Sequence, residues 1–295
     1  MIGDIMVAIS VIGAGAMGSA LIVRLAGQDT RVTVWNRTRE RAETLAGPQV
    51  NVADSAAGAI TRSPVTIVCV AGYEVARSVL AEAENSLQGK TIIGTSFVTP
   101  EQASVLDQRM RSVDGRYLDM EILGYPSDVR AGSAFLYFSG DETAFEEARP
   151  ALGRLGDVSY VSATPGDAFI SGLAVLLPYL PMAVGMFQGA KVCARNDISL
   201  EWYADAVRAL YPRHIGDLLE TIVTDRDPSD PANVEASVRT WADGAAEYAG
   251  YLESVGLDAG VYQALQRMFS AGIDAGRGDH DWSAVADLVA DHPEG

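Results

Sequence analysis

The chain has 295 residues and a formal charge of −17, from 39 acidic and 22 basic side chains. This length suits two domains, and a hydrophobic fraction of 48% is that of an ordinary globular protein. So acidic a surface repels nucleic-acid phosphates and anionic membranes, so we expect neither as a partner. Two cysteines and three histidines are too few for a disulfide framework or a histidine-rich metal centre.

The first half of the chain alternates β-branched runs with amphipathic stretches, a pattern typical of a parallel sheet covered by helices. The predicted strands are 7–12, 32–35, 66–70, 91–93, 117–119 and 134–139. Predicted helices begin after Gly15 and near Arg39, Glu74, Pro100 and Thr143. The apolar start lacks the basic segment of a signal peptide, so we interpret it as the first strand and expect a cytoplasmic protein. We predict an α/β domain of the Rossmann type over residues 1–163.

After residue 163 the strand pattern stops and helical periodicity continues. Asp167 and Lys191 bracket 23 consecutive uncharged residues, which form either a membrane span or a helix buried on all sides. Pro178 and Pro181 favour a buried helix with a kink. Further helical segments are predicted at 199–211, 215–225, 234–255, 259–275 and 282–290. We predict an all-α domain over 164–295 that begins with a long interdomain helix at about 165–194.

A glycine motif joins the first predicted strand to the first predicted helix. In a Rossmann turn the first glycine makes the tight bend, the second lets the backbone approach a pyrophosphate, and the third allows close helix–strand packing. The helix N-terminus then offers free N–H groups and a partial positive charge to the phosphates. The motif comprises Gly13, Gly15, Ala16, Met17 and Gly18.

The end of the second strand predicts which dinucleotide is bound. Rossmann domains that prefer NAD place an acid about 20 residues after the glycines, where it binds the ribose 2′-hydroxyl. This chain has Asn36 instead, which does not repel a 2′-phosphate. Arg37, Thr38 and Arg41 follow it and can donate charge-assisted hydrogen bonds to a phosphate. The sequence therefore predicts NADP(H) as the cofactor; the alternative is a solvated basic turn.

The chain resembles the imine reductases, relatives of the β-hydroxyacid dehydrogenases and 6-phosphogluconate dehydrogenases, over nearly its whole length. The resemblance includes the glycine turn, residues 36–38, 95–100, 117–119, 139–141 and 275–279, and most specifically Gly124-Tyr125-Pro126-Ser127-Asp128. It implies cofactor contacts at Val70, Ala71 and Ser96 as well. It also implies a homodimer with interdigitated helical domains, in which each active site lies between one subunit's Rossmann domain and the partner's helical domain.

The hydroxyacid branch of this superfamily carries two features that the chain lacks. Its catalytic lysine follows two small residues in the first turns of the interdomain helix, and that register reads Gly166, Ala168, Gly172 here. Its carboxylate-binding Ser-Gly-Gly corresponds to Leu123-Gly124-Tyr125. Without that lysine to protonate an alkoxide and that serine to bind a carboxylate, hydroxyacid chemistry is disfavoured. It is kept as the alternative.

Imine reductases usually carry Asp, or sometimes Tyr, where this chain has Gly172. We consider three replacements as catalytic proton donor. Tyr179 lies two helical turns further on the same face, but it is equally a core tyrosine. Asp167 lies one turn before Ser171, where an aspartate usually caps a helix. His214 titrates in the useful range, but a histidine beside Arg213 is more often a surface residue.

The substrate can also dispense with a proton donor. An iminium ion already carries its charge, so its reduction needs no proton in the hydride step, and aromatic faces suit a cation. The predicted substrate-binding residues are Ser96, Phe97, Leu123, Tyr125, Gly172 and Leu176. The sequence therefore predicts an NADPH-dependent reductase of C=N bonds, or the reverse oxidation of an amine. The alternatives are a C=O or C=C oxidoreductase on the same scaffold and a non-catalytic NADPH-binding protein.

Overall fold

The computed structural model describes residues 7–27, 29–95, 98–286 and 288. The chain divides into two compact units, residues 1–179 and 180–295. The first is an α/β unit and the second is helical. This confirms the predicted fold class.

The first unit is built on one mixed sheet, which has eight strands in the described part of the chain. Its strand order is β3-β2-β1-β4-β5-β6-β7-β8. Neighbouring strands are parallel except at β6 and β7, which pair antiparallel. The strands are β1 (Val7–Ile12), β2 (Thr30–Trp35), β3 (Val50–Val52), β4 (Val65–Val68), β5 (Thr91–Gly94), β6 (Arg116–Leu123), β7 (Ala134–Gly140) and β8 (Gly156–Ser162).

Helices cover both faces of this sheet and bury an apolar layer on each. One core cluster includes Ile9, Leu21 and Phe138, and the other includes Ile60, Ile92 and Tyr117. The helices are α1 (Ala16–Leu25), α2 (Arg39–Glu43), α3 (Ala56–Thr61), α4 (Tyr73–Glu82), α5 (Pro100–Ser112), α6 (Pro126–Ala131), α7 (Glu142–Leu152) and α8 (Asp167–Leu176).

The prediction missed the elements with weak local signals. Strand β3 has three residues, and helices α3 and α6 have six each. Strand β8 lies at the end of the sheet, and none of its residues is fully buried. The short elements β3, α3 and α6 present too few turns or alternations for periodicity to identify them. Strand β8 has seven residues, but it lacks a continuous apolar run.

The second unit contains four longer helices: α9 (Tyr179–Arg195), α10 (Leu200–Val223), α11 (Val238–Ser254) and α12 (Gly260–Gly272). The predicted segments 199–211 and 215–225 are in fact one helix, and Pro212 lies inside it. The helix continues through Pro212 although none of its residues is buried in the single chain. Of the predicted segment 282–290, Trp282–Val285 forms a 3-10 helix, and residues 287, 289 and 290 lie outside the described residues.

The apolar stretch at 165–194 is interrupted at Leu177 and Pro178, between α8 and α9, as the proline predicted. Helix α8 packs against β6, β7 and β8. The whole apolar stretch was expected to be buried on all sides, and this prediction is wrong for the single chain. Only 6% of its most apolar 18-residue segment is buried. The segment is long and apolar enough to cross a membrane by length and composition, with a mean hydropathy of 1.8. These exposed apolar side chains require a covering surface.

Candidate dinucleotide and active site

The functional residues follow the carboxyl ends of parallel strands. Ile12 of β1 pairs with Trp35 of β2 and with Val68 of β4, and Val68 pairs in turn with Gly94 of β5. These four strands therefore end at one level of the sheet. In open α/β sheets a ligand binds in the crevice outside such ends.

The glycine turn has the geometry that its three glycines predict. Gly13 has a φ of +107°, and a Cβ there would lie 2.0 Å from the carbonyl oxygen of Cys69. A Cβ on Gly18 would lie 2.1 Å from the carbonyl oxygen of Gly13. Gly15 differs, since nothing lies within 4 Å of its hypothetical Cβ. Two glycines thus permit close packing, and the third leaves open space in front of the α1 N-terminus.

Asn36 connects the glycine turn to the basic turn. Its Oδ1 accepts a hydrogen bond from the backbone N–H of Ala14 at 2.9 Å. Its Nδ2 donates to the carbonyl oxygen of Thr38 at 2.8 Å. An aspartate would retain the first bond but not the second, because a carboxylate has no N–H to donate. Asn36 therefore fixes the loop as well as leaving room for a phosphate.

The three arginines after β2 are not equivalent. Arg39 pairs with Glu43 and Asp54, each at 2.7 Å. Arg37 and Arg41 are exposed and form no ion pair with any carboxylate of the described residues. Arg37 and Arg41 are the two cations that a 2′-phosphate would meet.

One cavity of about 740 Å³ joins these elements. It is lined by Gly13, Gly15, Ala16, Met17, Gly18, Asn36, Arg37, Thr38, Arg41, Val70 and Ala71. Those are the predicted cofactor residues apart from Ser96, which lies outside the described residues. The remaining lining residues were not predicted, and they are Trp35, Cys69, Glu74, Val75, Ser78, Val79 and Glu82. The open space at Gly15 and the two unmatched arginines fit a phosphorylated dinucleotide.

The predicted substrate residues lie at the end of β6 and along α8. Leu123 is buried, whereas Leu176 is exposed. The hydroxyls of Tyr125 and Tyr179 form a 2.9 Å hydrogen bond, although these side chains are 62% and 42% exposed. That bond raises the pKa of the Tyr125 phenol. Phe97, like Ser96, lies outside the described residues.

Gly172 faces a carboxyl group that the sequence reasoning did not consider. A Cβ at position 172 would lie 2.3 Å from Cγ of Glu121. Burial raises the pKa of the Glu121 carboxyl to about 7. Burial, followed by the neighbouring Glu121 charge, raises the pKa of Asp119 to about 7 as well, while a backbone hydrogen bond from Phe169 opposes the shift. Two carboxyls with raised pKa values therefore lie two residues apart on one strand, a hallmark of functional sites.

A sequence signal for Glu121 existed. Strand β6 was predicted to stop at Asp119 but continues to Leu123. Because side chains alternate along a strand, residues 119, 121 and 123 share one face. Glu121 is thus an acid on the face that carries Leu123, and its neighbours Met120 and Ile122 are apolar.

The other two candidate proton donors are differently placed. Asp167 is the first residue of α8 rather than its cap, and its carboxylate accepts a hydrogen bond from the Ser162 hydroxyl at 2.5 Å. His214 lies on α10, where it lines a second cavity of about 900 Å³ within the helical unit. Like Tyr179 and Glu121, they are not among the residues that line the dinucleotide cavity.

Two family models match the chain in succession. Residues 8–164 match the NAD binding domain of 6-phosphogluconate dehydrogenase. Residues 165–291 match the C-terminal domain of NADPH-dependent reductive aminase-like proteins. The two matches together span almost all of the chain.

Individual proteins that are similar to the chain include two curated relatives and one solved structure. An NADPH-dependent reductive aminase from Aspergillus oryzae is 29% identical over 169 residues, which is 57% of this chain and 57% of that protein's length. The glyoxylate/succinic semialdehyde reductase 1 of Arabidopsis thaliana is 26% identical over 66% of this chain and 68% of its own. The structure of an imine reductase from Myxococcus stipitatus in complex with NADP⁺ superposes with a TM-score of 0.88 at 26% identity, covering 96% of this chain and 99% of that one.

The resemblance stated from the sequence is thereby confirmed. A dinucleotide-binding domain of the 6-phosphogluconate dehydrogenase kind is followed by a helical domain of the reductive aminase kind. The chain belongs to the imine reductase family of the 6-phosphogluconate dehydrogenase-like superfamily.

Proposed function

We propose that this protein is an NADP(H)-dependent oxidoreductase that reduces the C=N bond of an imine or iminium ion, or oxidises the corresponding amine. The observation that carries the proposal is a dinucleotide cavity with two unmatched arginines, in a chain whose second domain is of the reductive aminase kind. The absence of the lysine and serine of the hydroxyacid branch supports C=N over C=O chemistry.

The cofactor residues divide the dinucleotide between them. The α1 N-terminus and the open space at Gly15 take the pyrophosphate. Arg37 and Arg41 take the 2′-phosphate, and Asn36 holds the loop that presents them. When bound, NADPH supplies the hydride for the reaction. Leu123, Tyr125, Tyr179 and Leu176 provide an apolar and aromatic wall that suits a cyclic amine-type substrate.

The activity is tested by following NADPH consumption with a panel of probes. We expect turnover of a neutral cyclic imine such as 2-methyl-1-pyrroline and of its N-methyl iminium analogue. Ketones and enones of similar size should react far more slowly, because the lysine and the carboxylate-binding serine of the hydroxyacid branch are both replaced in this chain. Faster reduction of ketones would favour the C=O alternative. NADPH binding without turnover of any probe would favour a non-catalytic binding protein.

The dimer and the cytoplasmic location belong to the same proposal. Two free cysteines support a reducing compartment. The dimer is supported by apolar side chains that the single chain leaves uncovered on α8, α9 and α10, which include Ile170, Leu173, Leu180, Val184, Phe187 and Trp202. A monomer rarely leaves so many large apolar side chains exposed.

We predict that the protein is a dimer at micromolar concentration by light scattering. Replacing Leu180 and Phe187 together with aspartate should shift it towards monomer, since these side chains are 68% and 72% exposed in the single chain. Val23→Asp is the matched control, because Val23 is 54% exposed and lies on α1 of the first unit. A folded wild-type monomer at micromolar concentration would contradict the dimer.

A further inference from the structure

Glu121 and position 172 compete for the same space. A Cβ on residue 172 would lie 2.3 Å from Cγ, 3.2 Å from Cδ and 3.3 Å from Cβ of Glu121. Cβ atoms do not approach other carbon atoms to 2.3 Å in folded proteins, so any side chain at 172 would displace Glu121 or α8. The chain therefore has a carboxyl from β6 in the place that a side chain from α8 would take.

The strand register places Glu121 beyond the ends of the neighbouring strands. Gly94, the last residue of β5, pairs with Asp119 and with Val68, the last residue of β4. Glu121 is two residues further along β6, which is about 6–7 Å in the strand direction. That direction leads to the edge at which Gly13 follows β1. Glu121 thus lies at the edge of the sheet on which the dinucleotide cavity opens.

The surroundings of Glu121 raise the pKa of its carboxyl enough for the protonated form to be well populated at neutral pH. The side chain is half-buried and has no hydrogen-bond or ion-pair partner among the described residues. The titratable groups nearest to it are Asp119 on the same strand, Tyr137 opposite on β7 and Asp167 at the start of α8. The arginines of β6, α5 and α7 are paired with other carboxylates: Arg116 with Glu147, Arg109 with Glu84, Arg111 with Asp107 and Arg149 with Glu146. The charge of Asp107 on α5 raises the pKa of Tyr117 and is not among the causes of the Glu121 shift. With no cation there, burial raises the pKa of Glu121 to about 7, near the optimum for a general acid at neutral pH.

We infer that Glu121 is the acid that protonates the nitrogen of the C=N bond, in the place of the acid that Gly172 lacks. This inference rests on the proposed function. The nitrogen forms its N–H bond with the proton of the Glu121 carboxyl as the C=N π bond opens. The carbon receives the hydride supplied by the reduced cofactor, and Glu121 regains its proton from water. The overall step consumes one imine, one hydride and one proton and yields the amine.

The alternative donor is Tyr179, whose hydroxyl is hydrogen-bonded to that of Tyr125. A phenol is ordinarily a far weaker acid than a carboxyl group and keeps its proton at neutral pH. A carboxyl with a pKa of about 7 gives up its proton at neutral pH and is recharged by water. Glu121 is therefore the better matched donor.

The first test compares Glu121→Gln with the wild type on 2-methyl-1-pyrroline and on its N-methyl iminium analogue. Loss of general acid catalysis should lower kcat on the neutral imine by about 10²–10⁴-fold. The iminium ion takes no proton, so its kcat should fall by less than about tenfold on the same basis. Tyr179→Phe should produce a smaller loss on the neutral imine than Glu121→Gln does. An unchanged thermal midpoint and NADP⁺ affinity would show that the variant is folded.

The pH dependence has a definite sign. Glu121 donates only while protonated, so the wild-type rate on the neutral imine should fall as the pH rises through about 7. Glu121→Gln should lack this fall. Infrared titration of the free enzyme provides a readout that needs no turnover: a protonated carboxyl band that disappears through about pH 7 should be weakened in Glu121→Gln, leaving the Asp119 contribution.

Exchanging the two side chains provides the sharper test. Gly172→Asp alone should be destabilised and gain no activity, because Glu121 occupies the space. Glu121→Ala should lose the activity on the neutral imine. Combining it with Gly172→Asp should raise kcat on that imine at least tenfold above that of Glu121→Ala. Equal losses on both probes, an unchanged imine rate in Glu121→Gln, or no recovery in the exchanged variant would each overturn the donor role. A wild-type enzyme that reduces neither probe would instead overturn the proposed function, and the donor role with it.

Discussion

Replacing Arg37 and Arg41 together with alanine is expected to weaken NADPH binding by about 10²–10⁴-fold, with little effect on NADH. Each arginine would lose a charge-assisted hydrogen bond to the 2′-phosphate, on the order of 1.5–3 kcal/mol. The sum of about 3–6 kcal/mol converts to that range at 1.4 kcal/mol per tenfold change. Both side chains are exposed, so solvent screening favours the lower end.

Arg39→Ala is the matched control for this experiment. Arg39 lies in the same turn, but Glu43 and Asp54 already bind its guanidinium group. Its removal should change NADPH affinity by only a small factor. Dissociation constants for both cofactors are measured by calorimetry at two salt concentrations, because a phosphate contact weakens as salt rises. Equal losses for NADPH and NADH in the double variant would show that these arginines do not bind the 2′-phosphate.

The second large effect is expected at the glycine turn, where Gly13→Ala should destabilise the fold. The φ of +107° is unfavourable for alanine, and its Cβ would meet the carbonyl oxygen of Cys69 at 2.0 Å. Backbone strain and overpacking together cost on the order of 2–5 kcal/mol. That is a large part of the 5–15 kcal/mol that ordinarily stabilises a domain. Denaturant unfolding of the protein without cofactor measures the loss.

Gly15→Ala should behave in the opposite way and serves as the comparison. Gly15 has a φ of −74°, and nothing lies within 4 Å of its hypothetical Cβ, so folding should be unaffected. The added methyl group would stand in the space through which the pyrophosphate approaches. We expect NADPH affinity to fall by about tenfold or more, from steric overpacking of 1–3 kcal/mol. Similar unfolding curves for Gly13→Ala and the wild type would contradict the packing role, and unchanged affinity in Gly15→Ala would contradict the phosphate role.

The features predicted correctly from the sequence are those whose signals are local. The glycine turn and the basic turn after β2 each lie within about eight residues, and the structure brings them together in one cavity as parallel strands require. The strand–helix alternation was likewise enough for the fold class. Helix α10 was divided wrongly at Pro212, because a proline can lie inside a helix without ending it and the local sequence does not distinguish the two cases.

The part of the site that was missed depends on contact between distant segments. Glu121 and Gly172 are 51 positions apart in sequence, and neither residue alone indicates that they share one space. Considering position 172 by itself led to donors nearby on the same helix or on a later one. The replacement lies on a strand, and β6 had to be extended past Asp119 before its outward face could be identified. The exposure of the apolar stretch at 165–194 was missed for a related reason. Its composition indicates that its apolar side chains need to be covered, but not whether the same chain or a second one covers them.

The two hydrogen bonds of Asn36 bear on attempts to engineer the enzyme for cheaper NADH. The usual exchange introduces an acid at this position to bind the ribose diol. Here an aspartate would keep the bond from Ala14 but turn an oxygen, instead of an N–H, towards the Thr38 carbonyl. Repulsion between this oxygen and the Thr38 carbonyl oxygen would distort the loop that carries Arg37 and Arg41. We therefore expect cofactor preference to depend on the conformation of this loop as well as on the charges of Arg37 and Arg41, so that a productive redesign would have to rebuild residues 36–41 together.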